Sequence, residues 1–244
     1  MADLFRQYGI KEVADVTIYK IDKDGNETPF LFLDTLKVST LEKTAEQSDA
    51  RGGKGNPKLI TWDYGKEINV TLEDALYSPA SMALMWGGMD SKWSTSGTVI
   101  TKSLGFVADS TEKKTTLTDE KGRTWNVKKI YDDAGNAVTT LTVNKKYIAE
   151  CSATVKSIAT LKIEADDFPG TYKVVGDTYA RNRDTGEDEY FQFIINRAKM
   201  SSEQTLTLQA EGDPTTFNLN LTVLRPTSGA MIELIQYELP TSGE

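Results

Sequence analysis

Lys58-Leu-Ile-Thr-Trp-Asp-Tyr-Gly-Lys-Glu-Ile-Asn-Val-Thr-Leu72 is the stretch on which the fold turns. Ile60, Trp62, Tyr64, Ile68, Val70 and Leu72 all fall on even positions, the period of a strand with one apolar face. Read straight through Gly65, it predicts a single strand of about 50 Å at ~3.3 Å per residue. Broken at Gly65, it predicts a hairpin instead. Few small isolated domains need so long a strand, whereas a sheet that continues beyond its own subunit does.

Just upstream lies Lys43-Thr-Ala-Glu-Gln-Ser-Asp-Ala-Arg-Gly-Gly-Lys-Gly-Asn-Pro57, fifteen residues with no apolar period and three glycines. Structureless segments of that length in compact domains are functional or disordered. No core can form from this one, so it is expected to be an arm that orders against another subunit; a plain flexible loop is the competing reading.

The rest of the chain speaks the same β language. Val13, Val16, Ile18 and Ile21 sit among polar residues, Asp22-Lys-Asp-Gly-Asn-Glu27 supplies an Asp-Gly turn, and Pro29-Phe-Leu-Phe-Leu33 follows, which predicts a hairpin. Turns of similar composition recur at Asp119–Thr124, Asp132–Asn136, Arg183–Glu187 and Glu211–Thr215 between Thr- and Val-rich runs. In Thr205–Val223, Leu206, Leu208 and Ala210 alternate on one side of Gly212-Asp213-Pro214, and Phe217, Leu219, Leu221 and Val223 on the other, which predicts a second hairpin with one buried face. The one helix signal is short: Ser78 as cap, Pro79 in first position, Leu76, Ala80, Ala83 and Leu84 as a stripe, and Gly87-Gly88 as the stop. Met82, Met85, Trp86 and Met89 are expected to pack in the core, the competing reading being a greasy surface offered to a partner. Residues from about 89 to 160, richer in Thr and Lys, are expected to form an inserted β region or small second domain, while 1–88 and 161–244 form the main one. The chain is read as mainly antiparallel β.

Composition removes several functions. Among 244 residues there is no histidine, so Ser-His, Cys-His and HExxH chemistry are excluded. Cys151, the single cysteine, can build neither an internal disulfide nor a thiolate cluster and is expected to be an inert packed thiol. The N-terminus has no basic segment followed by an apolar one, and no run of 18 apolar residues occurs, so neither a signal peptide nor a membrane span is expected. The net charge of −8 is uneven: residues 201–244 carry six acids and only Arg225 as a base, whereas 101–150 carry nine bases and seven acids. An acidic protein grips phosphates poorly, yet suits a surface past which nucleic acid must move without sticking.

No catalytic set survives inspection, and no cofactor or metal is expected. Lys54 is followed by Gly55-Asn56-Pro57 instead of the Ser or Thr of a phosphate loop. Asp22, Asp24 and Asn26 start like a calcium loop, but the glycine falls at 25. Ser110 and Lys113 lack the companion motifs of a Ser-x-x-Lys enzyme. The adjacent acids at 132–133, 166–167 and 187–189 sit in turn contexts where strand neighbours point apart. Tyr190 and Phe191 near Arg181 and Arg183 read as packing in preference to a nucleic-acid platform, because Asp184 and Glu187–Glu189 oppose it.

Three segments together resemble a known family. They are Leu36–Glu42 leading to Ala50-Arg-Gly-Gly, the strand Ile60–Ala75, and the closing pair Phe191–Met200 and Phe217–Pro226. They look like the tail tube (major tail) proteins of tailed bacteriophages, over about residues 30–88 and 187–239. The resemblance implies a β-sandwich or barrel-like subunit with one short flanking helix, closing with five others into a hexameric ring. Rings would stack into a tube with an acidic lumen for DNA ejection, within a virion tail made in the host bacterial cytoplasm. Implied partners are other copies, the tape measure and baseplate proteins, a sheath where the tail is contractile, and DNA in transit. It further implies that the arm reaches a neighbouring subunit or ring, so Ala50, Arg51, Gly52, Gly53, Lys54, Gly55, Asn56, Trp62 and Tyr64 are the interface candidates. Compact tube subunits lack a counterpart of 89–160. Two other readings stay open: a baseplate or neck component, and a carbohydrate-binding β-sandwich using Trp86, Trp93 or Trp125 as a platform.

Overall fold

The computed structural model describes residues 6–87, 93–94, 99–156, 158–208, 210–211 and 215–238, with backbone alone for 93–94. Its strands in chain order are β1 (Tyr8–Ile10), β2 (Asp15–Ile21), β3 (Glu27–Leu33), β4 (Leu36–Arg51), β5 (Lys58–Asp74), β6 (Trp93–Ser94), β7 (Val99–Val107), β8 (Thr116–Thr118), β9 (Thr124–Tyr131), β10 (Lys146–Thr154), β11 (Thr160–Leu161), β12 (Thr171–Asn182), β13 (Asp188–Met200), β14 (Phe217–Val223) and β15 (Glu233–Tyr237). Among the described residues one helix, α1 (Pro79–Trp86), follows β5. The protein is mainly β, as its sequence predicts. The chain divides into two compact units, Met1–Lys92 with Leu161–Glu244, and Trp93–Thr160.

In the first unit a nine-stranded sheet curls into a half-barrel, ordered β3-β2-β12-β13-β14-β5-β4. Its spine is the β12–β13 pair, in register from Thr171 opposite Lys199 to Arg181 opposite Asp188. The remaining edge of β12 is shared by β2 and β1, and that of β13 by β14 and β15. Alternate residues point into the curl: Val16 and Ile18, Ile68, Val70 and Leu72, Tyr172 and Val174, Phe193 and Ile195, Leu219 and Leu221 form one buried cluster. Gly176 stands opposite Phe193, whose ring lies across the glycine where a side chain would otherwise be.

The predicted β2–β3 hairpin is present. Asp22 closes its turn, Oδ1 accepting from the backbone N–H groups of Asp24 at 2.9 Å and Asn26 at 2.8 Å, so this calcium-like spacing is a self-satisfied turn. Helix α1 is also as predicted. Ser78 accepts from the Ser81 N–H while Ser81 Oγ accepts from the Ser78 N–H, Pro79 opens the helix, and Gly87 ends it at φ 81°. Leu84 and Met85 are buried, Met82 and Trp86 pack against the same core, Leu76 is exposed ahead of the cap, and Met89 lies outside the described residues.

The expected Thr205–Val223 hairpin is corrected. Only β14 is a strand; 203–208 pair with nothing in a ladder, and Leu208 is 84% exposed. Competition for an edge accounts for part of this: β5 pairs with β14 from Phe217 to Thr222 on one side, while on the other the end of β13 and the Ser201 N–H fill Asn220–Val223, the positions that residues 205–206 would face. The Gly212-Asp213-Pro214 turn lies outside the described residues.

The second unit is a four-stranded antiparallel sheet ordered β7-β10-β9-β8. Trp125, Ile130, Leu141, Tyr147, Ala149 and Cys151 form its core, and burial pushes the Cys151 thiol up from its ordinary range. Asp119, with its side chain 2% exposed, organises the β8–β9 turn. It accepts from the N–H groups of Arg123 (2.9 Å) and Lys121 (3.0 Å) and from the indole N–H of Trp125 (3.1 Å). Those bonds, the Arg123 N–H first, hold its carboxyl down at about 2 against the cost of burial. Trp125 is thus a bonded core residue and no sugar platform. Trp86 packs against the first unit's core, and the side chain of Trp93 lies outside the described residues.

Candidate assembly surface

The arm is no loop. β4 and β5 form one antiparallel ribbon from Leu36 opposite Asp74 to Arg51 opposite Lys58, so residues 43–51 are strand and only 52–57 are turn. The apolar period used to recognise a strand requires one face to be buried. Both faces of this ribbon's outer half are exposed, so its β4 side could be entirely polar and still pair. The turn is closed by Gly52 N–H to Pro57 O (3.3 Å) and Asn56 N–H to Gly53 O (3.1 Å). It needs left-handed backbone at Gly53, Gly55 and Asn56, which explains its glycines.

β5 does run through Gly65 as one strand, but its face does not. Thr44 stands opposite Glu67 and Glu46 opposite Tyr64, leaving Ala45 alone against Gly65 and Lys66, a two-against-one bulge with Gly65 at φ 58°. Toward the core, Ser39 pairs with Leu72 and Leu41 with Val70, so odd residues of β4 share a face with the buried even residues of β5. Beyond the bulge the partners are Glu46 with Tyr64, Ser48 with Trp62 and Ala50 with Ile60. The extra residue therefore moves Ile60, Trp62 and Tyr64 to the opposite face of the ribbon. The sequence-based expectation of one apolar face across Gly65 is corrected to two apolar patches on opposite faces.

The two outer faces differ in chemistry. On the core-side one, Gln47 Nε2 donates to Asp63 Oδ1 at 2.8 Å and Thr61 Oγ1 to Asp49 Oδ1 at 2.8 Å, with Lys58 Nζ 2.7 Å from Asp49 Oδ2. Lys58, then Thr61 and Arg51, hold the Asp49 carboxyl below the usual range. Apart from the exposed Leu59 next to the turn, this face is polar and internally bonded. The other carries Trp62 and Tyr64, each 53% exposed, and Ile60, 54% exposed. Of the interface candidates, Arg51, Lys54, Gly55 and Asn56 are exposed at the end of the ribbon, Ala50 and Gly52 are half-buried, and Gly53 is exposed in the turn.

The fold also brings together a groove that no local pattern announces. Ile10, Val13, Leu41 and Leu234, all partly or largely exposed, surround a cavity of about 300 Å³ floored by Leu72 and Phe193. Its residues come from β1, the β1–β2 link, β4, β5, β12, β13 and β15, so only the curl of the sheet assembles it. β15 is pinned there by the buried Glu189, which accepts from Asn182 Nδ2 (2.9 Å) and Gln236 Nε2 (2.8 Å); the Asn182 bond leads in keeping its carboxyl below the ordinary range.

The acids considered as chemistry are engaged locally. Asp132 caps a turn, Asp133 pairs with Lys145 at 3.0 Å, Asp167 accepts from the Glu164 N–H, and Asp188 pairs with Arg181 through two 2.7 Å bonds. Tyr190 sits in a row of rings between Tyr179 and Tyr237. Among the described residues no helix is long and apolar enough to cross a membrane.

The ribbon thus has an internally bonded face and an opposite face on which Ile60, Trp62 and Tyr64 are bare. A protein of Bacillus phage SPR named "Tail tube protein" is 27% identical over 196 residues, covering 75% of this chain and 72% of that protein. The model of the YomU/Tube protein family matches residues 8–236. The chain belongs to the YomU/Tube protein family.

Proposed function

We propose that this chain is a structural, non-enzymatic subunit of a bacteriophage tail tube, located in the virion tail and built in the host cytoplasm. Copies close into hexameric rings, and rings stack into a conduit for DNA. The observation that carries this reading is the β4–β5 ribbon, whose outer half extends from its core with Trp62 and Tyr64 bare. Bare aromatics on a long paired ribbon favour a partner over solvent.

Charge supports the conduit. The first unit holds 29 acids against 18 bases, which disfavours binding of phosphates and keeps DNA moving. In this reading 1–88 with 161–244 is the tube-building domain, 89–160 decorates the outside, and residues 50–56 with Trp62 and Tyr64 touch the next copy. Tape measure and baseplate proteins, and a sheath where the tail is contractile, are its further partners.

Negative-stain electron microscopy of the concentrated chain tests the reading, alongside a variant in which residues 50–56 are replaced by a two-residue Asn-Gly turn. Hollow tubes of uniform diameter from the parent, and folded monomers or unstacked rings from the variant, are expected. Tubes from the variant would remove the arm's role; a parent that never assembles, even with tail initiator proteins added, would remove the tube.

A further inference from the structure

The outer face of the ribbon and the groove at its base are complementary, and they cannot meet within one chain. Ile60, Trp62 and Tyr64 form an exposed apolar ridge, while Ile10, Val13, Leu41 and Leu234 form an exposed apolar hollow. Trp62 lies eight residues along β5 from Val70, which lines the groove, so roughly 26 Å of continuous paired strand separates them. The bulge at Gly65 also turns the ridge to the face away from the groove. A ribbon hydrogen-bonded along its length cannot fold back on its own base.

We propose that the ridge of one copy seats in the groove of a second copy, with Trp62 and Tyr64 entering between Leu41 and Leu234. The idea deepens the tube reading and rests on it for the identity of the occupant. Two observations favour a second copy. The groove contains a buried hydroxyl, Ser39 Oγ, with no hydrogen-bond partner among the described residues. An aromatic ring with a polar tip, as Tyr64 has, fills the hollow and supplies that partner. The end of the ribbon carries Arg51, Lys54 and Lys58 against Asp49, a local excess of two positive charges, whereas its unit as a whole has eleven more acids than bases. Basic ribbon ends and acidic bodies attract each other between copies.

The symmetry follows. Ridge and groove are different surfaces of one molecule, so their contact is head-to-tail and propagates into a ring or a filament instead of stopping at a dimer. Three side chains bury only on the order of 500 Å², well below the ~1,200 Å² of a stable pair. A single contact is weak, and repetition gives it strength.

Disulfide trapping tests the contact. The native Cys151 is fully buried, which leaves introduced thiols as the reactive ones. Tyr64→Cys combined with Leu234→Cys, mildly oxidised, is expected to give a reducible ladder of multiples of 27.0 kDa. Either substitution alone gives no ladder, and Tyr64→Cys with Val107→Cys, an exposed site on the second unit, gives none above background. No ladder with Leu234→Cys or with Leu41→Cys as the partner, an equal ladder with the Val107→Cys control, or a disulfide closed within one chain would overturn the proposal. Microscopy of the parent separates the two ideas: tubes without the ladder retain the tube and discard this contact, and a ladder without tubes does the reverse.

Discussion

Gly176 offers a test in which local propensity and tertiary packing predict opposite signs. It lies within β12, where glycine is a poor strand former, and its φ is not in the left-handed region. A Gly→Ala change at a compatible site stabilises by roughly 0.4–1 kcal/mol, mainly by restricting the unfolded chain. Here, however, a Cβ would come 2.1 Å from Phe193 Cζ and 2.2 Å from Cε1, far inside any contact distance. Phe193 is 3% exposed in the main core, so the ring can yield only by giving up buried packing or by shifting into the groove it floors. Overpacking of this kind costs about 1–3 kcal/mol, which outweighs the gain. Gly176→Ala should therefore lower the Tm of the first unit, by roughly 2 to 10 °C for a domain of this size. The matched control is Gly105→Ala in β7, where nothing lies within 4 Å of the built Cβ; it should be neutral or mildly stabilising. Differential scanning calorimetry of both variants under conditions that keep the protein monomeric reads the difference. A Gly176→Ala protein as stable as the parent, or more stable, would refute the account of Phe193 filling the glycine's place.

Further predictions concern both units. Gly87→Ala should destabilise more than Gly176→Ala, because the left-handed backbone at φ 81° costs about 1–2 kcal/mol for any L side chain and the new Cβ meets the Phe168 backbone at 2.7 Å; chemical denaturation measures it. Asp119 has a folded-state pKa lowered to about 2 from 3.8, so its contribution is complete above about pH 5 and is lost as pH falls through 4 toward 2. Thermal melts of the parent from pH 6 to 2 should show the second unit weakening in that window, and Asp119→Asn should flatten the dependence; an unchanged profile counts against the turn's role. On assembly the emission of Trp62 should shift to the blue as its exposed ring is covered, and the shift should vanish in Trp62→Phe.

Much is legible in the residues themselves, because it depends on neighbours in sequence. The Asp22–Glu27 and Arg183–Glu187 turns, the Ser78–Gly87 helix and its caps, and the antiparallel class all follow from local backbone chemistry. The length of β5 is legible only as one of two readings, a single strand or a hairpin broken at Gly65, and pairing with β4 decides for the single strand. Residues 43–51 escape such a reading for a physical reason. Hydrophobic period reports burial, not backbone pairing, and a ribbon exposed on both faces pairs without it. Residues 205–210 fail in the converse way: they alternate, but alternation by itself creates no partner, and the end of β13 already pairs with Leu221–Val223 of β14.

The sequence by itself determined that this is a histidine-free, acidic, hairpin-rich β protein with an alternating stretch carrying Trp62 and Tyr64. Only the tertiary structure decided where those rings point. Gly65 permits either regular pairing or a bulge, and the choice depends on Thr44–Glu67 and Glu46–Tyr64 lining up across two strands. The groove was likewise invisible, because Ile10, Leu41 and Leu234 are far apart in sequence and become neighbours only when the sheet curls. Side-chain identity is a property of the chain, whereas face and neighbourhood belong to register and curvature, which are set by pairings between distant segments.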